Sequence, residues 1–207
     1  MPRPWNEIDW NQPRPSQAEL ISSWSSLRWE PRTPESPALT AYLAEVARTH
    51  ANGGYLLGQL RAVEYPDVAQ WFISRNRLDE YELFRLLFTS DIVRRTLPDL
   101  AVPATLGSDV GGLQQHAAGA LVLDGLWAHL ITGGGAYHRF AGTAREAKTL
   151  AAAAVDALVG GRFEDFRVDI THDAWTPWFH DVAWDSTYVL TDLRNAQITV
   201  LCVTDTD

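Results

Sequence analysis

A chain of 207 residues that is 46% apolar, 21% charged and net −9 has enough apolar material for one folded core. Its acidity excludes phosphate-backbone binding as the main activity, because that requires clustered Lys and Arg to displace counterions. The single cysteine, Cys202, excludes an internal disulfide and, set in an apolar run, acts as a small hydrophobe in a reducing compartment.

The first fifteen residues hold Pro2, Pro4, Pro13 and Pro15 with Trp5 and Trp10. This composition resists helix and predicts an extended arm (1–15) whose rings dock on the body. The arm also lacks the basic start and apolar stretch of a secretory signal. Ser16 and Glu19 form a capping box, which predicts a helix over 16–29 with Leu20, Trp24 and Leu27 on its buried side. Ser36-Pro37 starts a second helix, with Leu39, Tyr42, Leu43 and Val46 inward and Gly53-Gly54 as its stop. A third includes 68–73. Asp79 and Glu82 open a fourth that ends near Leu97-Pro98 and is apolar nearly all round through Leu83, Phe84, Leu86, Leu87 and Phe88. A loop over 101–112 leads into a helix over 113–131. The longest apolar stretch, 117–131, is broken by Asp124 and His129 and is too short for a bilayer. Thr143 and Glu146 are a further capping box, and Gly160-Gly161 closes the helix behind them.

After Gly161 the apolar period changes from 3.6 to 2. Phe166, Val168 and Ile170 alternate with polar residues, 188–190 and 198–203 are rich in β-formers, and Asp192-Leu193-Arg194-Asn195 supplies a turn. The expected fold class is therefore α+β. A helical N-terminal three quarters (16–160) packs on a C-terminal antiparallel β-meander of three or four strands (163–204), all in one domain over 16–207. A cytoplasmic location is expected.

Polar and aromatic groups are densest in 171–185, THDAWTPWFHDVAWD. One expectation makes His172, His180, Asp181 and Asp185 the ligands or acid/base groups of a metal-assisted hydrolase, since imidazole and carboxylate oxygen suit Zn, Mn or Fe. The spacing supports it weakly: there is no H-E-x-x-H and no Cys/His cluster, and these residues fall in predicted sheet. The plainer alternative has Asp173 and Asp181 shaping loops through hydrogen bonds to the backbone, with the tryptophans packing sheet on helix. In Val182-Ala183-Trp184-Asp185, strand alternation sets a solvated Asp185 against a Trp184 ring turned inward. The loop Gly107-Ser108-Asp109-Val110-Gly111-Gly112 lacks the Lys of a phosphate-binding loop, and no G-x-S-x-G is present. No cofactor and no resident metal are predicted.

The segment Asp181-Val182-Ala183-Trp184-Asp185-Ser186-Thr187 and the ending Leu201-Cys202-Val203-Thr204-Asp205-Thr206-Asp207 resemble the C-terminal signature of small bacterial proteins with a D-x-A-W-D-x-T element and an L-C-x-T-D-T-D-like end. Such proteins are similar in size and acidity to immunity proteins of toxin systems. From Arg162 onward the chain has nine acidic and three basic residues, so −6 of the −9 lies there. The leading functional expectation is therefore a non-enzymatic protein that binds a basic protein partner and neither nucleic acid nor membrane. Its contact residues are Trp175, Trp178, Asp181, Trp184, Asp185, Asp192, Asp205 and Asp207. A tryptophan-bearing arm also suits docking on a second copy, which makes a homodimer a third expectation.

Overall fold

The computed structural model describes residues 3–207; Met1 and Pro2 of the expected arm lie outside the described residues. Both halves of the Ser16–Glu19 capping box form, yet α1 (Gln17–Ser23) stops well short of Trp29. Ser22, Ser23 and Ser25 turn their hydroxyls back onto carbonyls three residues earlier, a competition that weakens helix. The chain then passes through a 3-10 turn into strand β1 (Arg28–Arg32). Ser36 caps α2 (Pro37–Thr49) as expected. It is followed by a strand the periodicity does not announce, β2 (Gly54–Glu64), and then by α3 (Asp67–Ser74).

The single helix expected over 79–97 is three short ones, α4 (Leu78–Tyr81), α5 (Leu83–Phe88) and α6 (Asp91–Thr96). The first break is at Glu82, whose φ of 60° is left-handed. Breaking the rod lets an apolar segment bury more than one stripe: Leu83, Phe84, Leu87 and Phe88 are all buried. The helix expected over 113–131 is likewise shorter, α7 (Leu123–Gly133), because Gln114–Gln115 (β3) pairs with a later strand. Thr143 and Glu146 cap α8 (Ala144–Val159), and Gly160, left-handed at φ 61°, ends it. Strands β4 (Phe166–Thr171), β5 (Ser186–Asp192) and β6 (Gln197–Thr204) complete the chain.

These strands overturn the expected division into a helical front and a C-terminal meander. Helices are spread along the chain, and one six-stranded antiparallel sheet, ordered β1-β2-β6-β5-β4-β3, takes strands from the interior as well as from the end. The meander β4-β5-β6 exists, but β2 pairs along the other side of β6, from Gly54 opposite Thr204 to Arg61 opposite Gln197. The physical reason is two-sided burial. In β2 the set Leu56, Gly58, Leu60, Ala62 alternates with Tyr55, Leu57, Gln59, Arg61, so no uniformly polar face betrays the period of 2. In β1, Pro31 suggests a helix stop, yet an edge strand tolerates its missing N–H.

Helices cover both faces of the sheet. Leu60, Ala62, Val189, Ile198, Val200 and Cys202 pack against α1 and α3–α6 on one side, while Val168, Tyr188, Leu190, Leu201 and Val203 pack against α2, α7 and α8 on the other. Every residue of β5 is buried. Trp5 of the arm belongs to the first core, fully buried and edge-on to Trp29 at 5.9 Å and Tyr65 at 5.5 Å. Trp10 remains 79% exposed. No helix among the described residues is long and apolar enough to cross a membrane.

Candidate functional site

Residues 172–185, expected as sheet, form a long loop between β4 and β5. Internal anchors fix it. Trp175 sits against Phe88 at 4.8 Å and Phe179 at 6.1 Å, and its indole N–H donates to Thr187 Oγ1 at 2.9 Å. Asp185 is 0% exposed; one carboxylate oxygen accepts from the Thr204 hydroxyl and the other from the Val182 N–H at 3.1 Å. The latter bond and that from Asp185 N–H to the Val182 carbonyl, 3.0 Å, close a turn over 182–185. Strand alternation therefore does not apply, and the expectation for Trp184 is reversed: Asp185 is internal and Trp184 is half-buried at the surface.

Trp184 lines a cavity of about 320 Å³ between the end of α2, α7 and this loop. His50, His129, His172, Ser186 and Tyr188 share its wall. His50 is 1% exposed, with Nδ1 3.3 Å from the Val46 carbonyl oxygen and 3.0 Å from Thr49 Oγ1. A carbonyl only accepts, so that bond assigns the proton to Nδ1 and leaves Nε2 as an acceptor. His172 repeats the arrangement, its Nδ1 lying 3.3 Å from the Asp185 carbonyl oxygen and 3.0 Å from Ser186 Oγ. Burial holds His50 below the ordinary imidazole range, against the opposing pull of the Val46 carbonyl and Asp205, and keeps it neutral near pH 7. Burial also pushes the Tyr188 phenol up to about 12, against a bond from Ser186 that lowers it. The wall thus offers imidazole acceptors, a phenol and an indole.

The remaining candidate residues scatter. Asp192 is buried under a two-pronged bond from Arg162 at 3.1 and 2.7 Å and shapes the β5–β6 turn through the N–H groups of Arg194 and Asn195. Burial alone would raise its pKa, but Arg162 and Asn195 outweigh that and hold it below the usual carboxylate range. Asp205, also buried, accepts from Asn52 N–H at 2.8 Å and Ala136 N–H at 2.7 Å. Its carboxylate leaves no room for a side chain at Gly135, where a Cβ would lie 1.9 Å away. Asp181, with φ 59°, and Asp207 are exposed. Trp178 is half-buried, edge-on to Phe179 at 5.1 Å, in a separate depression that His180 shares.

Of the expected contact residues, then, Trp175, Asp185, Asp192 and Asp205 are taken off the surface by internal bonds, and Trp178, Asp181, Trp184 and Asp207 remain available. The metal set does not assemble either. His172 and His180 line different cavities, Asp185 is internal, and no three His, Cys, Asp or Glu among the described residues are grouped to hold a metal ion. Sequence reasoning missed His50, Ser186 and Tyr188 and treated His129 as an ordinary helix residue. The available signal was local only: a histidine ahead of the helix stop Asn52-Gly53-Gly54.

No protein-family model, no curated protein and no solved structure matches this chain.

Proposed function

We propose that the chain is a non-enzymatic binding protein of the immunity type, which masks a basic protein partner with its β4–β5 loop. One observation carries this reading. The loop is pinned at Trp175, Phe179 and Asp185, and between those anchors it presents two half-buried tryptophans, Trp178 and Trp184, beside exposed Asp173 and Asp181. Rigid aromatic side chains on a loop fixed by a scaffold contribute contact area at little cost in ordering. Nearby carboxylates favour encounter with a positive surface.

The test is association with the partner at low and high salt. The immobilised chain should retain one basic protein from its native host at low salt and release it as salt rises. The double variant Trp178→Ala/Trp184→Ala should unfold cooperatively like the parent yet lose roughly 100-fold or more in affinity, as removal of two hot-spot aromatics does. Retention of nothing at low salt, or equal retention by the double variant, would overturn the reading.

A further inference from the structure

The cavity behind Trp184 is rich in hydrogen-bond acceptors and has no lysine or arginine in its wall. His50 arrives from the end of α2 and His172 from the β4–β5 loop. Each uses its Nδ1 proton on a backbone carbonyl, and no hydrogen bond from the described residues reaches either Nε2. His50 lines the cavity, so its Nε2 is an acceptor that a donor seated there can reach.

The buried groups around the cavity give it a negative potential. Helix α7 ends at Gly133 on the cavity wall and brings the negative end of its dipole there. Asp185 directly precedes the wall residue Ser186, and Asp205 lies close enough to His50 to act on its charge. Both carboxylates are buried and accept only from neutral groups, the Thr204 hydroxyl and the N–H groups of Val182, Asn52 and Ala136. Arg139, packed beside Gly134 at the rim, is exposed to solvent. Trp184 and Tyr188 add aromatic walls, which attract cations.

We infer that this cavity receives one arginine side chain of the basic partner, an inference that rests on the protein-binding reading of the loop. A guanidinium suits the site better than an ammonium, since acceptors reach it from three elements and its planar fork of five N–H donors can satisfy several while stacking on an aromatic ring. The volume, about 320 Å³, lies at the lower end of the roughly 300–1,000 Å³ typical of ligand pockets. That is room for a single long side chain.

The experiment titrates the full chain with N-acetyl-arginine methylamide and, separately, with the citrulline analogue, which has the same shape and no charge. The imidazole resonances of His50 and His172 are followed by NMR. The arginine compound should shift both saturably, the citrulline compound should bind at least about tenfold more weakly, and His50→Phe should weaken arginine binding by about tenfold. His172→Ala, at an exposed position, supplies the same readout if the His50 variant fails to fold. Equal binding of the two compounds, absence of binding, or arginine binding unchanged in His172→Ala would each overturn the inference. The protein-binding reading is judged separately, by whether Trp178→Ala/Trp184→Ala still retains the partner.

Discussion

Replacing Asp169 with Ala should cost about 3–5 kcal/mol of stability, out of a margin of roughly 5–15 for a domain of this kind. Arg167 and Asp169 stand two apart on β4, pointing beneath the N-terminal helices. They are 4% and 0% exposed and joined by bonds of 2.6–3.1 Å. Burial works against both charges. For Arg167, the bonds and charge of Asp169 and Asp79 outweigh burial and keep the guanidinium firmly protonated. Its other contacts, Asn76 Oδ1 at 3.0 Å and the exposed Asp79 at 3.2 Å, cannot replace a buried carboxylate. Removing Asp169 alone therefore strands a buried cation, whereas Arg167→Met/Asp169→Leu removes both charges and should return to within about 2 kcal/mol of the parent. Urea unfolding of the two variants checks this. A loss under about 1 kcal/mol in the single variant, or a double variant as unstable as the single, would contradict it.

Trp127→Ala should cost a similar amount, about 3–5 kcal/mol, through packing. The ring is fully buried on α7, stacked on Tyr42 at 4.9 Å with 10° between planes and edge-on to Tyr188 at 6.4 Å. Its indole N–H has no hydrogen-bond partner among the described residues, so the nitrogen contributes nothing that a hydrocarbon ring would forfeit. Trp127→Phe should consequently recover most of the loss and fall within about 1.5 kcal/mol of the parent. Thermal unfolding of the pair separates the causes. If Phe is as damaging as Ala, stacking volume is not what this residue supplies.

What could be read from the sequence was what is decided locally. The capping boxes at Ser16–Glu19 and Thr143–Glu146 form because donor and acceptor lie within one turn, and the alternation of Phe166, Val168 and Ile170 marks β4 because its polar positions differ from its apolar ones. Strand β2 was hidden because its partner, β6, is more than a hundred residues away and neither of its faces is uniformly polar. The break at Glu82 depends on the core that the segment must fill, not on its own propensity. In the site, the segment dense in polar and aromatic groups contributes His172 and Trp184 to one cavity. It could not show that Asp185 and Asp205 turn inward, since Thr204, Asn52 and Ala136 reach them only in the folded chain. The same long-range bonds, with Gly135 N–H donating to the Thr49 carbonyl at 3.0 Å, bring the end of α2 and His50 to the cavity.

The central claim, that the β4–β5 loop is the binding element, is tested most directly by amide deuterium exchange on the chain alone and in complex with its basic partner. Slowed exchange should concentrate in residues 172–184 and in the end of α7 at 126–134, which share the cavity wall, with the face covered by α1 and α3–α6 unchanged. Slowed exchange confined to that opposite face or to the arm around Trp10, with 172–184 exchanging as in the free chain, would contradict the account.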